Sequence, residues 1–146
     1  MRFVRGLSDS PVPRSAISTS TFKTGDTTLD GLLEAAQSKF LSDRPDLRRE
    51  ALEKLWDAWE RLKTLEPAKD KKDSTRILLD RVTTEPNLRG TIENEAKELT
   101  LIGNSYMIRH TEIGKAQISS LDHVDYLFHR MFSLVRLILR STGRGG

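Results

Sequence analysis

Arg109 and His110 stand side by side in Asn104-Ser105-Tyr106-Met107-Ile108-Arg109-His110-Thr111-Glu112, between two segments of strong helical pattern. A fixed cation, a group that titrates near neutrality and a carboxylate are the residue types of a metal-free site. The reaction they suit is cleavage of RNA by its own 2′-hydroxyl. That chemistry needs a group to take the hydroxyl proton, a group to protonate the leaving 5′-oxygen, and a cation for the charge building on the phosphorane. In this scheme Arg109 and His110 are catalytic and Glu112 orients the imidazole. Asn104 holds the link by hydrogen bonds, and Tyr106 and Lys115 contact substrate. One chain offers one such histidine for two proton transfers, so a symmetric homodimer that pools two sites is expected. The same residues also have a purely structural reading, in which Arg109 pairs with Glu112 or a helix-end carboxylate and His110 is a satisfied loop residue. The sequence leaves both open.

Other chemistries find no residues to carry them. With no cysteine, the chain has no disulfide framework, thiolate metal site or thiol nucleophile. Its three histidines are His110, His123 and His129; the last two are six apart on one helical segment and point to different faces, and no His-Glu-x-x-His spacing occurs. Gly143-Arg144-Gly145-Gly146 precedes no helix, so it is not a phosphate-cradling loop, and no nucleophile-elbow pattern is present. Neither metal nor cofactor is expected. No apolar run approaches the roughly 20 residues that span a bilayer. Met1-Arg2-Phe3-Val4-Arg5-Gly6-Leu7 lacks the sustained apolar core of a secretion signal, so no membrane partner and a cytoplasmic location are expected.

Charge is better described by its distribution than by its sum. The net value is +3, from 24 Lys and Arg against 21 Asp and Glu. Acidic residues crowd the middle, whereas Arg2, Arg5, Arg14 and Lys23 mark the start and Arg130, Arg136, Arg140 and Arg144 the end. If the two ends meet, they form a patch able to hold phosphates. Arg130, Arg136 and Arg140 are accordingly candidate RNA-binding residues, with a solvated helix face as the plain alternative for Arg136, Arg140 and Arg144 at their spacing of four.

The elements that must position these groups are helices. Residues 1–26, rich in Ser, Thr, Pro and Gly, read as an irregular basic arm with at most a short strand near Phe3-Val4. Residues 27–146 read as one domain. Thr27 or Thr28 caps a first helix with Leu29, Leu32, Leu33, Ala36 and Phe40 at helical spacing. A long second helix opens at Pro45 and carries Leu47, Ala51, Leu52, Leu55, Trp56, Trp59 and Leu62, with both tryptophans assigned to a core or a dimer interface. Asp73 or Ser74 caps a short third helix with Ile77, Leu78 and Val82. The fourth runs from Pro86 through Leu88, Ile92, Ala96, Leu99 and Ile102 to a stop at Gly103-Asn104. The last, about Leu121 to Ser141, turns Leu121, Val124, Leu127, Phe128, Met131, Leu134, Val135 and Ile138 inward, with Ser119 and Asp122 at capping-box spacing. No alternating strand pattern of useful length exists. The expected architecture is all-α: an antiparallel bundle of four main helices plus one short helix, with an irregular N-terminal arm.

Leu101-Ile102-Gly103-Asn104-Ser105-Tyr106-Met107-Ile108-Arg109-His110-Thr111-Glu112, followed by Asp125-Tyr126-Leu127-Phe128-His129-Arg130-Met131-Phe132, resembles the C-terminal domain of bacterial abortive-infection proteins, AbiJ-like, within the HEPN-like superfamily. The likeness spans roughly residues 45–142. It implies an all-α, often dimeric domain of phage defence or toxin–antitoxin systems, acting as a metal-independent ribonuclease or RNA-binding protein beside a cognate defence or antitoxin protein. The family motif is an arginine, a polar residue and a histidine a few positions on. Arg109 matches the arginine and His110 its polar neighbour, but Gly114, Lys115 and Ala116 stand where the terminal histidine belongs. Either His110 takes over that role, or this chain is a catalytically inactive oligomerisation or interaction module.

Overall fold

Phe40 and Phe128 stack with ring centroids 3.9 Å apart and an interplanar angle of 4°, which places the core between the first and last helices. The structure, a computed structural model, describes residues 21–105 and 120–145. Five helices form that part: α1 Thr27–Phe40, α2 Pro45–Leu62, α3 Lys71–Asp80, α4 Pro86–Ser105 and α5 Leu121–Ser141. The described residues contain no strand, as an all-α chain requires. The arm through residue 20, its expected strand at Phe3-Val4, and the link from 106 to 119 lie outside the described residues.

α2 is the central element because its apolar stripe is wide enough to serve two neighbours. Ala51, Leu52, Leu55, Trp56, Ala58, Trp59 and Leu62 are all buried, and α2 packs most extensively on α1 and next on α5. Ion pairs at both ends set the directions. Lys39 to Glu50 at 3.0 Å and Arg61 to Asp26 at 2.7 Å make α1 antiparallel to α2. Arg48 to Asp125 near one end and Glu66 to Arg144 near the other make α5 run the same way as α2. This parallel contact is not one that short loops between successive helices would suggest. α4 runs against α2: the Trp59 indole donates to Thr100 Oγ1 at 3.2 Å, and Gly103 lies against the Trp56 ring.

Both tryptophans belong to the core, Trp56 at 3% exposed and Trp59 fully buried. The Lys63 ammonium closes over them, 5.9 and 5.1 Å from the ring centroids, and is held by Glu60 at 2.6 Å and Thr100 at 3.0 Å. Burial lowers the Lys63 pKa, and the Glu60 carboxylate opposes that shift.

Helix ends differ from the sequence reading wherever a better acceptor lies just upstream. Asp26, not Thr27 or Thr28, caps α1 by accepting from the Leu29 amide at 2.8 Å, and the same carboxylate receives Arg61. Asp70, not Asp73 or Ser74, caps α3, and the Ser74 hydroxyl instead accepts from the Glu66 amide at 3.0 Å. α5 begins after Ser120, whose side chain makes no capping bond; Ser119 lies outside the described residues. Gly103 does not end α4. It is buried inside the helix, which continues to Ser105, and its lack of a side chain makes room for the Trp56 ring. Leu88, expected on the inner face of α4, is 49% exposed, since the first turns of that helix extend past the core.

Candidate functional site

Three arginines reach one groove because α5 repeats them at helical spacing and then folds back. Arg136 and Arg140 are four residues apart, about 40° around the helix, so they share a face. Gly143 takes φ +73°, a left-handed turn that lets the Arg144 amide return to the Leu139 carbonyl at 2.7 Å. Gly145 then lies close against Arg140. The resulting groove of about 220 Å³ is lined by Arg136, Arg140 and Arg144 over Phe22, Phe132, Val135 and Leu139. Thr21 and Gly145 complete the lining, so the start and the end of the described chain meet here, while Arg2, Arg5 and Arg14 of the basic arm lie outside the described residues.

The electrostatics of these arginines are unlike those of their neighbours. Arg44, Arg48, Arg61, Arg76, Arg81, Arg89 and Arg130 each hold a carboxylate. No carboxylate among the described residues pairs with Arg136 or Arg140. Arg144 is shared: its Nη2 donates to Glu66 Oε2 at 2.6 Å, while its Nη1 is buried without a hydrogen-bond partner among the described residues. Glu66 also accepts from Arg81 at 2.9 Å, and Arg81 donates to the Thr142 carbonyl at 2.9 Å. Burial pushes the Glu66 carboxyl up, but hydrogen bonds from Arg144 and Arg81 outweigh it and hold the group below the usual carboxylate range.

The sequence-predicted site residues therefore separate. Arg136 and Arg140 come together. Arg130 does not join them: six residues from Arg136, it lies about 120° away around α5. Its guanidinium is instead clamped by Glu95 in a bidentate pair at 2.9 and 2.6 Å, which raises its pKa further. Asn104 is exposed in the last turn of α4 rather than in a loop. Arg109, His110, Glu112, Tyr106 and Lys115 lie outside the described residues. His129 is buried edge-on to Phe40, with centroids 5.2 Å apart, whereas His123 is exposed, so the two do face different ways.

Sequence reasoning missed Phe22, which sits in a segment read as arm, and Glu66, which sits in a loop before Pro67 with no local signal. The one available sign of the groove was the spacing of Arg136, Arg140 and Arg144. No protein-family model, curated protein or solved structure matches this chain.

Proposed function

We propose that this chain is an RNA-binding helical domain of HEPN-like, abortive-infection type, holding phosphate with Arg136 and Arg140 and cutting RNA with Arg109 and His110 of a homodimer. The observation that carries the binding half is the pair of α5 guanidiniums left without a carboxylate among the described residues, beside an apolar floor, in a bundle where other arginines are paired. Guanidinium forks suit phosphate oxygens, and an apolar floor suits the sugar and base they belong to. The cutting half rests on residue types alone.

The test is binding and cleavage of labelled short RNA by the full chain in chelator. R136A/R140A weakens binding by about tenfold or more. It also flattens the dependence of log affinity on log salt by about 1.4, at roughly 0.7 per lost contact to a single strand. H110A binds normally and abolishes chelator-resistant cleavage. Absence of RNA binding at low salt overturns the reading.

A second reading is a non-catalytic interaction module that pairs with a second copy or a cognate defence protein. It is favoured by Leu101 at 59% and Tyr126 at 58% exposed, on the α4 and α5 turns that flank the 106–119 link. Self-association that is lost in L101S/Y126S, without any RNA binding, supports this reading.

A further inference from the structure

We propose that the groove of Arg136, Arg140 and Arg144 is a site for a terminal phosphate monoester carried on a nucleoside, either an RNA end or a free nucleotide, rather than for the phosphodiester backbone. This rests on the RNA-binding reading and narrows it.

Charge balance carries the argument first. Among the described residues the lining holds three arginines and no carboxylate. Glu66 lies behind Arg144 and is shared with Arg81, so Arg81, Arg144 and Glu66 together leave one positive charge, to which Arg136 and Arg140 add two. A monoester carries about −1.5 to −2 at neutral pH, against −1 for each backbone phosphate. The dianion is the better match to three net charges.

Geometry points the same way. A rail for successive phosphates sets its cations along a line, whereas here the chain turns back at Gly143 and brings a third guanidinium to the groove of the other two. The C-terminal end of a helix ordinarily repels anions through its free carbonyls. At this end several of those carbonyls are occupied: Ile138 accepts from the Thr142 amide at 3.0 Å, Leu139 from the Arg144 amide and Arg140 from the Gly143 amide at 3.5 Å, and beyond the helix the Thr142 carbonyl accepts from Arg81. Arg144, which lines the groove, also carries an Nη1 that is buried without a described hydrogen-bond partner. Half-buried Phe22 and the Val135 and Leu139 side chains give a ribose and base an apolar surface.

The experiment is calorimetric titration of the full chain with one short RNA in three forms (5′-phosphate, 3′-phosphate, neither) and with AMP, at pH 7.5 and 5.5. A terminal phosphate at one end or the other tightens binding about tenfold over the unphosphorylated RNA at pH 7.5. The advantage shrinks at pH 5.5, where the monoester loses its second charge near pH 6. R136A/R140A removes the advantage. R136K/R140K, which keeps the charge but not the fork, retains part of it, with unchanged circular dichroism certifying the fold. Equal affinity for all three RNAs overturns this inference and leaves the RNA-binding reading standing. AMP binding without RNA binding keeps the monoester site and overturns that reading. Binding of neither overturns both.

Discussion

Arg130 and Arg136 are the same residue type on the same helix, and their surroundings give them opposite tasks. Arg130 is about three-quarters buried and spends its fork on Glu95, whereas Arg136 meets no carboxylate among the described residues. A bidentate pair with both partners mostly out of water holds α4 to α5, and removing one partner strands the other. R130A is therefore expected to lower stability by about 1–3 kcal/mol, because the Glu95 carboxylate loses its charged partner. It is expected to leave RNA affinity within about twofold, since Arg130 lies on another face of α5. Urea melts and a filter-binding titration on the same preparation check both halves. A stable R130A chain that loses RNA binding would put Arg130 back among the ligand residues. The distinction turns on the partner, which the spacing of basic residues does not reveal.

Helix α4 is the element where local sequence and tertiary packing disagree most. Gly103 followed by Asn104 reads as a stop because both tolerate positive φ, yet the helix continues to Ser105, and the glycine serves packing instead: the Trp56 ring occupies the space where a Cβ would go. Gly90 in the same helix is exposed and has nothing near it. The two glycines predict opposite outcomes for one substitution. G90A stabilises by about 0.5–1 kcal/mol, the helix-interior preference of Ala over Gly. G103A destabilises by about 1–3 kcal/mol as the Trp56 ring is forced to shift. Chemical denaturation of both variants checks the pair, and equal stabilisation by both would mean that the α2–α4 contact yields to a methyl group. The five helices and most core positions were legible because the apolar period of 3.6 survives in one dimension. Helix caps were legible only to within a few residues, since Asp26 and Asp70 won on bonds that reach forward three residues. Of the candidate site, the Arg136 and Arg140 spacing was legible. The groove floor was not, because Phe22 reaches it from more than a hundred residues away along the chain.

On the scale of the whole molecule, the C-terminal end of the described chain and the end of α3 close on a single acidic residue. Glu66 sits in the loop between α2 and α3, is 6% exposed, and ties Arg81 at the end of α3 to Arg144 beyond α5. The groove is thus held in shape by a carboxylate outside its lining, and its integrity becomes a question of pH. Folding lowers the Glu66 pKa, because the two arginine hydrogen bonds exceed the cost of burial. The folded chain then gives up this proton more readily than the unfolded one. The stabilisation is complete above the ordinary Glu value of about 4.3 and is lost as pH falls from there through the folded-state value. Asp26 and Glu60 are lowered as well, Asp26 chiefly by Arg61 and Glu60 by lysines that overcome its burial, so acid removes stabilisation at these two sites in the same direction. E66Q isolates one contributor. At pH 7 it is expected to cost about 1–3 kcal/mol, the worth of charge-assisted bonds at a buried site. As pH falls from about 4.3 through the lower folded-state value, the variant's stability should approach that of the native chain, and below that value both carry an uncharged group at position 66. Urea midpoints from pH 7 to pH 3 measure this convergence. A constant gap between the two chains across that range would mean that Glu66 acts through its shape and hydrogen bonds, and that closure of the groove does not depend on its charge.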